Sequence, residues 1–309
     1  MIKIEKFSGS RGLKWLENTL NKRRFFQNSN IPIVSKILKD IRVNKNRALI
    51  KYEKRFSNNN KIKPSKNEIN SALKSLSPKI KKAIDFAYNR IFKYHTFQKA
   101  KDISYTDKLN NNLKYKFLPI KKVGIYVPAN LPSTLLMNAI PAKIAGVEKI
   151  ILANPRLNKK LNPAVIYAAK KLGIKEIYSI GGAQAIGSLT YIQKVDKIVG
   201  PGNIFVARAK KEVFGEVGID MVAGPSEVSI IGDKNSNPDW IASDLIAQAE
   251  HDIFAQSILI SDDKNLINKV NKSLKVQLKK LPKKNIAFKS LKKFGLAIFA
   301  KTKKQIVDA

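Results

Sequence analysis

Gln248 and His251 stand three residues apart in the run Ala247-Gln-Ala-Glu-His-Asp252, a spacing that sets two polar side chains on one face of a helix. Such a pair can converge on one object, and the chemistry it suggests is metal binding. The chain has no cysteine, so a metal would use His, carboxylate or amide oxygen, and thiolate catalysis and disulfides are excluded. Zinc generally takes about four ligands. This segment supplies two, with Asp244 as a nearby carboxylate, so spacing alone leaves a solvated polar face as the alternative. The second group of candidates is built on glycine. Gly181-Gly182, Gly200-Pro201-Gly202-Asn203 and Gly224-Pro225-Ser226 each follow a predicted strand. Beyond the carboxyl ends of parallel strands, glycine lets backbone approach a phosphate, although any one of these turns also serves simply to reverse the chain. The dinucleotide fingerprint G-x-G-x-x-G is absent, so these residues alone name no cofactor.

The elements that must position these residues are legible from periodicity. A helix is predicted from Pro238 to about Asp252, capped by Asn237, with Asp244, Gln248 and His251 on its polar stripe and Ala242, Ile246, Ala249 and Ile253 on its apolar one. From the start to about Leu118 the pattern is helical: Val34-Ile37-Leu38-Ile41, Ala48-Leu49-Tyr52, Ile69-Leu73-Leu76 and Ile80-Ala83-Ile84-Ala87-Ile91. After Lys122 short β-branched runs take over. Strands are predicted at Val123 to Val127, Lys149 to Ala153, Glu176 to Ile180, Lys197 to Val199 and Asp220 to Ala223. Helices are predicted between them, at Thr134 to Ala145, Pro163 to Leu172, Gln184 to Tyr191 and Ile204 to Phe214. Further strands follow at Val228 to Gly232, Ser257 to Ser261 and Gly295 to Ala300. This alternation places the chain in the α/β class, as two Rossmann-like, incomplete parallel-sheet units with an N-terminal helical region. The boundaries drawn are 1–120 for the helical region and the start of the first unit, 121–224 for an inserted domain, and 225–309 for the continuation of the first.

A chain of 309 residues, 44% hydrophobic, is long enough to bury two such cores. No apolar run is long enough to span a bilayer and the N-terminus has no secretory core, so no membrane is expected and a cytoplasmic location follows by default. The formal charge of +36 would attract polyanions. Lysine supplies it from Lys3 to Lys304, and patches such as Lys279, Lys280, Lys283 and Lys284 lack interleaved aromatics, which points to compositional drift and away from specific nucleic-acid binding.

Longer motifs add a resemblance. Val195-Asp-Lys-Ile-Val-Gly-Pro-Gly-Asn203, Gly218-Ile-Asp-Met-Val-Ala-Gly-Pro-Ser-Glu227 and Ala247-Gln-Ala-Glu-His-Asp252 resemble the signature of the histidinol dehydrogenase family in order and spacing. Gly124-Ile-Tyr-Val-Pro128, Leu136-Met-Asn-Ala-Ile-Pro-Ala-Lys143 and Gly181-Gly-Ala-Gln-Ala-Ile186 extend it upstream. The resemblance implies oxidation of L-histidinol through an aldehyde to L-histidine, with NAD and zinc as cofactors and a homodimer as the complete form. By position it implies that Gln248 and His251 bind zinc and face the substrate, that Ser226 touches substrate, and that Tyr126, Gln184 and Asn203 line the NAD site, making 121–224 the NAD-side domain. His95 matches a family position and is read as packing or scaffolding.

Two departures from the family are local: Ala129-Asn130 replaces a glycine pair, and Lys45-Asn46 replaces a Gly-Asp pair at a turn. The third is at the end. The family continues into an Ala-Pro-Glu-His-Leu-Glu segment whose Glu and His perform acid/base catalysis, and then to an Asp and a His that complete the zinc shell. The chain ends at Ile306-Val307-Asp308-Ala309, so the expectation is a C-terminally truncated member with no catalytic residue of its own and no activity by itself. A non-catalytic remnant or basic nucleic-acid-binding protein is the alternative.

Overall fold

The computed structural model describes residues 2–7, 10–27, 32–222, 227–282 and 284–309. In chain order the elements are β1 (Lys3–Lys6), α1 (Ser10–Gln27), α2 (Pro32–Ser57), α3 (Lys66–Lys74), α4 (Pro78–Thr96), β2 (Ile103–Thr106), β3 (Asn112–Tyr115) and β4 (Lys122–Tyr126). Then come α5 (Pro132–Ile144), β5 (Lys149–Ala153), α6 (Pro163–Lys171), β6 (Glu176–Tyr178), α7 (Gly182–Gly187) with a π-helical turn (Ser188–Ile192), β7 (Lys197–Val199), α8 (Ile204–Val213) and β8 (Gly218–Ile219). The rest is β9 (Glu227–Gly232), α9 (Pro238–Ala249), β10 (Gln256–Ser261), α10 (Lys264–Lys280), α11 (Lys284–Phe294), β11 (Leu296–Phe299) and α12 (Lys303–Asp308). Contacts divide the chain into two compact units, Ile31–Ala223 and Met1–Asn30 with Gly224–Ala309.

In the Ile31–Ala223 unit a five-stranded parallel sheet runs in the order β6-β5-β4-β7-β8. Parallel strands need cover on both faces, and the apolar runs of β4 and β5 meet that condition. One face packs Val123, Ile125 and Val127 against Leu135, Ile140, Val165 and Ile84 from α5, α6 and α4. The other packs Ile151 and Ile198 against Ile37, Ile41, Leu49, Ile186 and Leu189 from α2, α7 and the π-helical turn. Helices α2 and α4, from before Lys121, therefore cover the two faces of this sheet. The chain builds outward from β4 to β6 and then crosses back to β7, so the order reverses between β4 and β7, the place where an open sheet leaves a crevice at its carboxyl edge.

The second unit holds a four-stranded parallel sheet, β1-β11-β10-β9. Central strand β10 is buried along its length, with Leu259 against Leu245, Leu266, Ile267 and Leu274 of α9 and α10 on one side, and Ile258 and Ile260 against Phe7 and Leu16 on the other.

Three expectations change. The stretch before Leu118 is not helical throughout: β1 forms only by pairing with β11, and β2–β3 is an antiparallel hairpin. Its period-two pattern puts Ile103, Tyr105, Leu113 and Tyr115 on one face, and the Asp107 carboxylate closes the turn by accepting from Leu109 N–H and Asn111 N–H. The strand expected from Asp220 is found at Gly218–Ile219, because the Asp220 side chain is drawn to Gly200; Ala223 lies outside the described residues. The helix expected at Gln184 to Tyr191 is α7 followed by the π-helical turn, closed by Gln193 N–H to the Ser188 carbonyl.

Candidate functional site

The crevice edge of the five-stranded sheet carries the three residues expected on the cofactor side. Tyr126 is the last residue of β4, Gln184 lies in the first turn of α7, and Asn203 caps α8 by accepting from Val206 N–H at 3.1 Å. Tyr126 and Gln184 come together around Gly181-Gly182: the Tyr126 hydroxyl accepts from Gly182 N–H at 3.4 Å, and the Gln184 amide lies beside the Gly182 backbone. Both side chains are buried, at 6% and 3% exposure, and burial pushes the Tyr126 phenol above its ordinary range. Asn203 stands on the neighbouring turn and is exposed. That turn is locked against β4, since a side chain at Gly200 would meet the Tyr126 carbonyl oxygen at 2.1 Å and Gly200 has φ +112°.

Two charged groups that the sequence reading passed over brace these turns. Lys210 Nζ donates to the Gly200 carbonyl at 3.0 Å and to Asp220, whose other oxygen accepts from Gly200 N–H at 2.8 Å. Glu53, fully buried at the end of α2, accepts from Gly181 N–H at 2.8 Å and from Gln184 Nε2 at 2.9 Å. Burial raises its carboxyl pKa, against the pull of those two donors. A signal was available for both. Glu53 shares the buried stripe of Leu49 and Tyr52, and Lys210 that of Val206, Ala209 and Val213, and a charge on an apolar stripe must find a partner.

In the other unit α9 is capped by Asn237, as expected, and buries Ile241, Ala242, Leu245, Ile246 and Ala249. It ends at Ala249 with Glu250 as C-cap, earlier than predicted; His251 lies one residue beyond, its N–H on the Gln248 carbonyl at 3.3 Å, and Ile253 is 43% exposed and off the apolar stripe. Gln248 and His251 still share one turn. Gln248 Nε2 is buried with no hydrogen-bond partner among the described residues, while the His251 side chain is exposed. An orphaned buried amide suits a cation once it is turned to present its oxygen. With His251 it would supply two of the four ligands of a tetrahedral zinc shell, and among the described residues no group of three or more His, Asp or Glu gathers. Ser226 lies outside the described residues. His95 is in the Ile31–Ala223 unit, its Nδ1 2.5 Å from Gln98 Oε1, beside a mostly apolar cavity of about 600 Å³ lined by Phe117, Ile120, Met137 and Pro141.

A family model described as histidinol dehydrogenase matches residues 20–309. A histidinol dehydrogenase of Pelagibacter ubique (strain HTCC1062) is 54% identical, with 100% of this chain and 74% of the relative covered. One from Rhizobium meliloti (strain 1021) is 45% identical over 86% of this chain and 64% of its own length. The crystal structure of histidinol dehydrogenase from Elizabethkingia anophelis matches with a TM-score of 0.84 at 35% identity, over 97% of this chain and 71% of that one.

Proposed function

Since the chain belongs to the histidinol dehydrogenase family, we propose that it carries the cofactor and substrate sides of an NAD-dependent oxidation of L-histidinol through L-histidinal to L-histidine. The observation that carries this reading is that the likeness to the Pelagibacter relative runs the whole length of the chain. Tyr126, Gln184 and Asn203 are the residues we assign to NAD, on the carboxyl edge where the strand order reverses. Gln248 and His251 are assigned to zinc and, with Ser226, to substrate.

When bound, NAD would accept the hydride and zinc would hold the imidazole and amine of the substrate. The alcohol loses a hydride and a proton to give the aldehyde; the aldehyde adds water, and the hydrate loses a second hydride, which a second NAD would accept, and a proton. The chain's own contribution is placement. The Gly181 and Gly200 turns fix Tyr126, Gln184 and Asn203, and the last turn of α9 fixes Gln248 and His251. No acid or base is assigned here: His251 serves as a ligand and His95 is paired with Gln98. A cytoplasmic homodimer belongs to the same reading; among the described residues no helix is long and apolar enough to cross a membrane.

The test joins these residues to the C-terminal remainder of the Pelagibacter relative and follows NADH absorbance with L-histidinol, with zinc added or chelated. Turnover that is lost in His251→Ala and Gln248→Ala, with zinc no longer retained and the far-UV circular dichroism unchanged, is the expected result. Zinc retention and turnover at the unchanged rate in His251→Ala would refute the assignment.

A further inference from the structure

We propose that Glu53 is a positioning residue for the cofactor side: it fixes the Gly181-Gly182 turn and turns the Gln184 amide so that its oxygen meets a hydrogen-bond donor of the ligand. The inference rests on the reading of Tyr126 and Gln184 as cofactor residues. Glu53 is 0% exposed, and packing alone would be served better by an apolar side chain, because a buried carboxylate costs several kcal/mol unless it is bonded. Its closest bonds go to Gly181, between β6 and α7, and to Gln184 in the first turn of α7, with the Ser57 and Asn59 side chains also drawn to the carboxylate. One oxygen takes both Gly181 N–H and Gln184 Nε2. The same segment is held at Ser179, whose N–H donates to the Ile62 carbonyl at 2.7 Å and whose carbonyl accepts from Asn59 Nδ2 at 2.7 Å. Gly182 N–H then reaches the Tyr126 hydroxyl, so Glu53, Gly181, Gly182, Gln184 and Tyr126 form one connected set.

The orientation of the Gln184 amide follows from the chemistry of its partner. A carboxylate only accepts, so the atom facing Glu53 must be the NH2 group, and the oxygen is left to the Gly182 side. An amide oxygen accepts. The ligand group that meets Gln184 is then a donor, a ribose hydroxyl or a carboxamide NH2, and not a phosphate. Glu53 reinforces the exclusion, because it occupies Gly181 N–H and places a carboxylate behind the turn where a phosphate would otherwise be drawn.

The measurement is the dissociation constant of NADH for the full chain, by fluorescence well below the thermal midpoint, in Glu53→Gln, Glu53→Ala and Gln184→Ala, with the melting temperature and amide exchange at Gly181 recorded beside it. In Glu53→Gln the new amide oxygen can still accept from both Gly181 N–H and Gln184 Nε2, as one carboxylate oxygen does in the unchanged chain, so this conservative variant should keep the NADH affinity. Glu53→Ala releases both donors, and the expected result is NADH binding weakened about tenfold, the size usual for losing one supporting partner, with faster exchange at Gly181. A lowered melting temperature with unchanged NADH affinity in Glu53→Ala would mean a purely structural role and overturn the proposal. If Gln184→Ala weakens binding and Glu53→Ala does not, the proposal alone falls. If the unchanged chain binds no NADH, the cofactor reading falls and takes the proposal with it.

Discussion

Lys45 is a point of backbone strain within α2. It interrupts α2 with φ 46° and ψ −126°, a conformation of the first central residue of a type II′ turn, where glycine is at home and an L side chain is not. A non-glycine residue held there costs about 1–3 kcal/mol. Lys45→Gly removes that cost and adds the greater freedom of glycine in the unfolded chain, about 0.5–1 kcal/mol. It also gives up the exposed bond from Lys45 Nζ to the Tyr191 carbonyl at 3.4 Å, whose geometry limits it to about 0.5 kcal/mol. The balance is a stabilisation of about 1 kcal/mol, or a rise of about 2–4 °C in the melting temperature of a unit of this size. Lys45→Ala keeps the strain and loses the bond, so it should gain nothing. Thermal and urea unfolding of both variants checks the argument: a lowered midpoint in Lys45→Gly, or an equal rise in Lys45→Ala, would refute it.

Four further outcomes are expected. Gly200→Ala should destabilise the Ile31–Ala223 unit by about 3 kcal/mol or more in urea unfolding, because its Cβ would sit 2.1 Å from the Tyr126 carbonyl oxygen at a positive φ. Lys210→Met should cost about 1–3 kcal/mol by the same assay, since it leaves the buried Gly200 carbonyl without its donor, while the exposed Asp220 keeps Gly200 N–H. Glu68, held by Ser65 N–H and Arg156, has its pKa lowered from 4.5 to about 2, so its stabilising contribution is complete above pH 4.5 and is lost as pH falls towards 2; Glu68→Gln should flatten acid unfolding across that window. Duplex DNA should bind weakly, without sequence preference, and release steeply as salt rises in a filter or anisotropy titration; tight selective binding at physiological salt would favour the nucleic-acid alternative.

Periodicity carried most of the architecture. Strands at Lys149 to Ala153 and Lys197 to Val199 lie where the β-branched runs put them, because a parallel strand covered on both faces needs an unbroken apolar run. What periodicity missed depends on partners distant in the chain. Lys3–Lys6 becomes a strand only because Leu296–Phe299 accepts it, and the end of the strand after Gly218 is set by a side chain answering Gly200. Tyr126 and Gln184, which the sequence assigns to the cofactor side, meet at the glycine turn. The supports of that turn were not legible, since Glu53 and Lys210 look in sequence like two more charges among many. Only the phase of their helices, which places each among buried residues, sets them apart.

That phase also explains how the fold accommodates its charge. With 59 Lys and Arg against 23 Asp and Glu, a compact chain repels itself, and the effect is screened only over about 8 Å at physiological salt. Lysines on exposed faces bear most of this at little cost, because solvent and counterions surround them. Carboxylates are scarce, and several stand where backbone has to be held. Glu53 serves Gly181, Asp220 serves Gly200, Asp107 closes the β2–β3 turn, and Asp263 caps α10 through Asn265 N–H. The surface can therefore drift towards lysine without touching the turns, whereas replacing one of these few acids removes a support for which the surrounding lysines, having no acceptor to offer, cannot substitute.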